Sequence, residues 1–161
     1  MMMIKEYRRD IAIEYAMRWA LVRNPSYYDF SEIGGDCTNF VSQCVFAGSG
    51  TMNPALDGWY YYSLNQRSPS WTGVEFFCRF MVQNRGIGPF AVFVPRSQLQ
   101  PGDVIQLGNE LGYYHSLFVM ESTPEHILVA AHTQDALWRP LSTYTFQQIR
   151  CLHFPAVRTL S

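Results

Sequence analysis

No stretch of this 161-residue chain is apolar for long enough to cross a bilayer as a helix, and no basic run or stripe marks a binder of nucleic acid. Lysine and arginine number 12 against 13 aspartates and glutamates, a formal net charge of −1. No large field of one sign is therefore available to steer a polyanion. The four cysteines, Cys37, Cys44, Cys78 and Cys151, include no Cys-x-x-Cys pair. They read as one reactive thiol and three buried ones, not as a disulfide framework. Repeats and low-complexity tracts are absent too. The start, Met1-Met2-Met3-Ile4-Lys5-Glu6-Tyr7-Arg8-Arg9, lacks the basic-then-apolar order of a secretory leader. The expectation is a cytoplasmic chain, or an exported one whose leader has been removed.

What is present is a core. Apolar residues make up 48% of the chain and charged ones 16%, a globular balance. Aromatics reach 16%, enough for a bulky core or for a cleft that grips sugars or peptides. The length fits a single domain over 1–161, with a helical half to about residue 86 and a strand half over 87–161.

Along the chain, Ile4, Tyr7, Ile11, Tyr15 and Trp19 recur at helical spacing and predict an amphipathic helix from Ile4 to about Val22, ended by Asn24-Pro25. A loop over 25–36 leads into a second helix from Cys37 to about Ala47, stopped by Gly48-Ser49-Gly50. Residues 51–70 read as a long loop with Trp59-Tyr60-Tyr61-Tyr62, either a wall of a groove or a cover for the core. Thr72-Gly73-Val74-Glu75 resembles a capping box opening a third helix, in which Val74, Phe77, Cys78 and Met81 form a core face. Beyond Gly86-Ile87-Gly88-Pro89 the period changes to strands: Ala91–Val94, Val104–Leu107, His115–Glu121, Ile127–His132 and Ile149–Phe154. Helices first and an antiparallel sheet second make the fold class α+β.

The chemistry centres on Gly34-Gly35-Asp36-Cys37-Thr38-Asn39-Phe40-Val41-Ser42-Gln43. Phe40, Val41, Cys44 and Val45 fall at helical spacing after the cysteine, so Cys37 sits in the first turn. Backbone N–H groups there lack intrahelical partners and carry the positive dipole end, which favours a thiolate and a developing oxyanion. Gly35 leaves room for substrate. Asp36 is a helix cap or a cleft residue, and Asn39 joins Gly35 and Asp36 as an oxyanion or cleft candidate.

A hairpin supplies the second half. With Ser122-Thr123-Pro124-Glu125 as the turn, Glu121 pairs with His126, and the same register puts His115 opposite His132 on one face. One imidazole would take the thiol proton while the other orients it. Asp135 is the second choice for that orienting role. His126 lies beside the turn and reads as a solvent-facing residue, and His153 as a structural one.

These residues resemble a family. Tyr7 through Trp19 with Asn24-Pro25, the stretch from Gly34 to Gln43, Leu99-Gln100-Pro101-Gly102-Asp103-Val104, His115-Ser116, and His132-Thr133-Gln134-Asp135 leading to Arg139-Pro140-Leu141 look like the putative amidase domain family, related to papain-like cell-wall hydrolases of the NlpC and CHAP kinds. The resemblance implies a papain-like fold with the nucleophile at the start of the second helix. It also implies a Cys, His and third polar residue in that chain order: Cys37, His115 and His132. The activity implied is that of a cysteine amidase or peptidase needing no cofactor or metal. Its substrate would be an amide or peptide, with the stem peptide of peptidoglycan one candidate. A binding module that keeps the cleft, a thiol acyltransferase, and a zinc site built from Cys37, His115 and His132 are the rival readings.

Overall fold

The computed structural model describes residues 1–160 and is a mixed α+β arrangement of four helices and a large antiparallel sheet. The helices are α1 (Arg9–Trp19), α2 (Cys37–Ser49), α3 (Pro69–Thr72) and α4 (Val74–Gln83). Strands β1 (Met2–Lys5), β4 (Gly88–Phe93), β5 (Val104–Asn109), β6 (Gly112–Ser122), β7 (Ile127–Ala131), β8 (Ala136–Pro140) and β9 (Gln148–Leu160) form one seven-stranded sheet. A small hairpin, β2 (Tyr61–Ser63) with β3 (Gln66–Arg67), stands apart. The order β1-β9-β5-β6-β7-β8 places β9 as a spine: β5 and β1 follow one another along one edge, and β4 pairs along the other.

Helix α2 carries the fold. Its apolar residues Phe40, Val41, Cys44 and Val45 are fully buried, and so are its polar Thr38 and Ser42. A helix buried on nearly every side needs partners for its polar groups. Ser42 Oγ donates to the Trp71 carbonyl at 2.9 Å and accepts from Trp59 Nε1 at 3.1 Å. Gly50, left-handed at φ 63, ends the helix.

The contact between α1 and α2 rests on small residues. Ala12, Ala16 and Ala20 are fully buried, while Ile4 and Ile11, which the spacing assigns to the core stripe, are exposed. A Cβ at Gly48 would come within 2.6 Å of Tyr7 Cε1 and 2.8 Å of the Arg8 carbonyl. Close approach of the two backbones selects glycine and alanine at the contact; Tyr7 is buried and Tyr15 and Trp19 pack against the core, while Ile4 and Ile11 turn outward. The chain before Arg9 is consequently not helical. It forms β1, paired with the end of β9.

Other expectations are corrected. The predicted capping box does not form: α4 begins at Val74 behind Gly73, with no side-chain cap. Within the expected loop 51–70, Trp59 is fully buried, its ring tilted against that of Trp71 at 4.6 Å, with Tyr61 and Tyr27 around them. Trp59 and Tyr61 thus cover the core while Tyr62 faces solvent, and the segment is not all loop, since the small hairpin and the start of α3 lie within it. The Pro101-Gly102-Asp103 turn is a fastener. Asp103, fully buried, accepts from Arg9 Nη1 (2.9 Å), the Gln100 N–H (2.9 Å) and the Phe154 N–H (3.1 Å), and His153 Nδ1 lies 2.8 Å away. Gly102, at φ +94, supplies the turn that other residues resist.

Alanine normally stabilises a helix interior relative to glycine by about 1 kcal/mol. At Gly48 the sign should invert: Gly48→Ala is expected to lose about 1–2 kcal/mol through overpacking. The midpoint of urea unfolding reads this, and an unchanged or raised midpoint would contradict the packing described.

Candidate active site

Cys37 is the first residue of α2, 7% exposed, and opens on a cleft of about 380 Å³. Gly34, Gly35 and Cys37 form one wall. Leu107, Tyr114 and His115 come from the β5–β6 end of the sheet, and Thr133, Gln134 and Arg139 from the β7–β8 turn and β8. The segment Thr143–Thr145 closes the rim. A bulge near the end of the β5–β6 ladder moves the pairing from Leu107↔His115 to Gly108↔Tyr113, leaving Tyr114 over as the extra residue. Bulges of this kind re-aim side chains beside functional clefts.

Asp36 fixes where Cys37 stands. Its carboxyl is fully buried and accepts from the Phe30 N–H at 2.8 Å and from Asn39 Nδ2 at 2.9 Å. His132 Nδ1 lies 2.5 Å from its other oxygen, and Arg23 Nε 3.5 Å from that same oxygen. Asp36 precedes the helix without a side-chain cap bond to it. It is therefore a bracket, joining the turn at Phe30, the first turn of α2 and the end of β7.

His132 belongs to that bracket and not to His115. The β6–β7 ladder runs Ser122↔Ile127 and Glu121↔Leu128, then shifts at a bulge to Val119↔Val129 and Phe118↔Ala130. Glu121 is thus not opposite His126, and the register that would set His115 facing His132 is displaced by one. A slip of one moves a side chain to the other face. His132 lies on the α2 side, its ring 4.2 Å from Phe40. Its Nε2 donates to the Trp19 carbonyl at 2.8 Å, so with Nδ1 on Asp36 neither ring nitrogen is free. Asp135 does not reach His115 either: its carboxylate takes Arg23 in a two-pronged pair at 2.7 and 3.0 Å.

The remaining expected residues divide in the same way. Gly35 lines the cleft at φ +101, but its N–H is committed to the Phe30 carbonyl at 3.0 Å. Asp36 and Asn39 lie outside the lining. Asn39 is spent on the Tyr28 carbonyl, Asp36 and Trp71 Nε1. Among the described residues, no three His, Cys, Asp or Glu side chains gather as a metal-binding group, so Cys37, His115 and His132 do not form the zinc set considered above. His126 pairs with Glu121 at the surface.

Two features were not read from the sequence. Thr133 and Gln134 both adopt positive φ (64° and 61°), a strained turn whose Thr133 Oγ1 accepts from the Asp36 N–H at 3.2 Å. No Gly or Asn signals that turn, so a reader of the sequence has nothing to find. Beneath the thiol, Thr38 Oγ1 lies 2.9 Å from Ser116 Oγ, which accepts from Gln106 Nε2 at 3.1 Å. Gln106 Oε1 in turn accepts from Arg150 at 2.9 and 2.7 Å. Gln106 and Ser116 are fully buried, but the apolar residues beside them on both faces of β5 and β6 are buried as well, so no alternation in the sequence singles them out.

Burial governs the charge states. It pushes the Cys37 thiol above its ordinary range, outweighing the Ser116 and Thr38 groups that favour the anion, and Asp36 adds to the rise. Burial also pulls His115 down to about 4, helped by the positive charge of Arg139. A neutral thiol thus shares the cleft with a neutral imidazole. Among the described residues, His115 makes no side-chain hydrogen bond, and the Tyr144 ring lies 6.0 Å away.

Comparison with known proteins gives the family. The family model described as "Putative amidase domain" matches residues 6–154, nearly the whole chain. The chain belongs to the putative amidase domain family. It is also 33% identical over 140 residues to the uncharacterized protein YhbB of Bacillus subtilis (strain 168), a match covering 83% of this chain and 44% of that protein. The chain thus spans less than half the length of that relative. No solved structure matches it.

Two expectations test the site. Asp36→Ala leaves buried His132 Nδ1, Asn39 Nδ2 and the Phe30 N–H without their acceptor, while Arg23 keeps Asp135, and should lower stability by about 3 kcal/mol in urea titration; an unperturbed midpoint would deny the bracket. The unfolded state protonates His115 below about 6.5, whereas the folded state resists until about 4. Stability should therefore fall as pH drops through that window, and His115→Gln should flatten this part of the profile. Identical profiles would contradict the burial of His115.

Proposed function

We propose that this chain is a cysteine-dependent amidase or peptidase, with Cys37 as nucleophile and His115 as general base and acid. The observation that carries this is the meeting of the two residues in one cleft, with Cys37 at the first position of a buried helix. Family membership supports amide hydrolysis as the reaction. The fold would then be a papain-like one, as the chain order of helix-start cysteine and strand histidine suggests.

The reaction follows from the neutral pair. As Cys37 Sγ attacks the amide carbonyl carbon, His115 takes the thiol proton, so no free thiolate is needed beforehand. Negative charge grows on the carbonyl oxygen, and the Cys37 N–H, at the start of α2, would donate to it. The C–N bond breaks as His115 passes its proton to the leaving amine, leaving an acyl thioester on Cys37. His115 then takes a proton from water, whose oxygen attacks the thioester and releases a carboxylic acid and the thiol. Among the described residues no side chain hydrogen-bonds His115, and the Tyr144 ring, 6.0 Å away, is its aromatic neighbour. His132 acts at one remove, through Asp36, as a positioning residue. The substrate is a peptide or other amide, and a peptidoglycan stem peptide is the natural first one to try.

Cys37→Ala should keep the far-ultraviolet spectrum and lose at least about a thousandfold in turnover. The acid limb of kcat/KM should fall near pH 4, the value to which burial brings His115. Retained activity in Cys37→Ala, or an acid limb near 6.5, would sink the mechanism.

A further inference from the structure

Arg139 is the one lysine or arginine on the lining of the Cys37 cleft, and no aspartate or glutamate shares that lining. It is held rigidly. Its Nε donates to Thr143 Oγ1 at 2.7 Å and its Nη2 to the Thr143 carbonyl at 3.1 Å, while the guanidinium carbon lies 3.8 Å from the centre of the Tyr144 ring. Arg9, Arg23 and Arg150 are matched to carboxylates (Asp103, Asp135 and Glu75), whereas Arg139, like Arg18, Arg67, Arg79, Arg85, Arg96 and Arg158, is not, and of these seven only Arg139 lines the cleft. Among the described residues Arg139 has no carboxylate partner, and its Nη1 donors have no acceptor on the protein. The helix-start N–H groups at Cys37 add positive potential to the same space.

A guanidinium fixed by two bonds and a ring has already lost the freedom it would lose on binding, and its planar fork suits a carboxylate. We propose that Arg139 is a specificity residue that binds a carboxylate carried by the substrate close to the scissile amide. The substrate class, on this inference and the reading of Cys37 above, is an acidic amide: a peptide with an acidic side chain or a free α-carboxylate next to the bond cut. The charge of Arg139 is felt at His115, which fits a binding site adjoining the reacting groups.

Two alkylating agents of nearly equal size test this without any need for turnover. Iodoacetate and iodoacetamide both transfer a CH₂ group to sulfur with loss of iodide, but only the first carries a carboxylate. The ratio of their rates at Cys37, read by peptide mass spectrometry and divided by the same ratio for 2-mercaptoethanol, isolates the preference for an anion. Changes in the thiol itself cancel. The ratio should exceed that of the reference thiol, fall about fivefold in Arg139→Gln and be partly kept in Arg139→Lys. It should also decline as salt is raised. A wild-type ratio no higher than that of 2-mercaptoethanol, or one unchanged in Arg139→Gln, would overturn the proposal. Should Arg139→Gln fail to fold, a salt-independent ratio in the wild type would overturn it equally. The ratio is read whether or not an amide is cleaved, so failure here and failure of the hydrolase reading are separate results.

Discussion

The site depends on one buried carboxyl. Asp36 lies in a place where an unpaired charge would cost several kcal/mol, and it is accommodated only because Phe30, Asn39, His132 and Arg23 converge on it. Each partner belongs to a different part of the chain: the turn before α2, α2 itself, the end of β7, and the segment after α1. The position of Cys37, one residue on, is set by this convergence. A strained Thr133 turn completes it by holding the Asp36 N–H, and the same turn forms part of the cleft wall. Strain of that kind persists only where the surroundings over-determine it.

Burial then decides the chemistry. A helix N-terminus stabilises an anion by about 0.3–1 kcal/mol, up to roughly 2 in favourable sites. Full desolvation can move a pKa by up to about 3–5 units, which is larger. In this cleft the larger effect prevails: the thiol is raised and the imidazole lowered, so helix placement alone does not yield a resting thiolate. On the proposed mechanism such a thiol would be activated by its neighbour at the moment of attack. The free nitrogens of His115 serve that purpose better than those of His132, both of which are already bonded.

How far the sequence could be read follows from the same physics. Phe40, Val41, Cys44 and Val45 announced α2 because their spacing is their burial, and the change of period after Gly86 announced the sheet. The stripe before and along α1 is legible in Tyr7, Tyr15 and Trp19, which meet the core, but not at Ile4 and Ile11, because close packing against α2 selects the small Ala12 and Ala16. The hairpin count failed for a local reason: a bulge and a shorter turn moved the register by one, and with a period of two that sends His132 to the other face. Cys37 and His115 were legible from motif and chain order. Arg139, Gln134 and Tyr144 were not, since nothing local distinguishes a cleft arginine from a surface one. Asp36 and Asn39, conversely, looked like cleft residues because they flank the cysteine, yet their side chains are consumed in holding it.

The most direct test of the account is the pH profile of Cys37 alkylation by iodoacetamide, resolved from Cys44, Cys78 and Cys151 by mass spectrometry, in the wild type and in His115→Ala. If the neutral imidazole draws the proton from the neutral thiol, the wild type should react at Cys37 with a broad plateau through neutral pH that falls away toward about 4. In His115→Ala the plateau should vanish, leaving a rate that climbs only toward the raised thiol pKa. Superimposable profiles in the two proteins would show that Cys37 and His115 do not act together, and the catalytic account would fall with them.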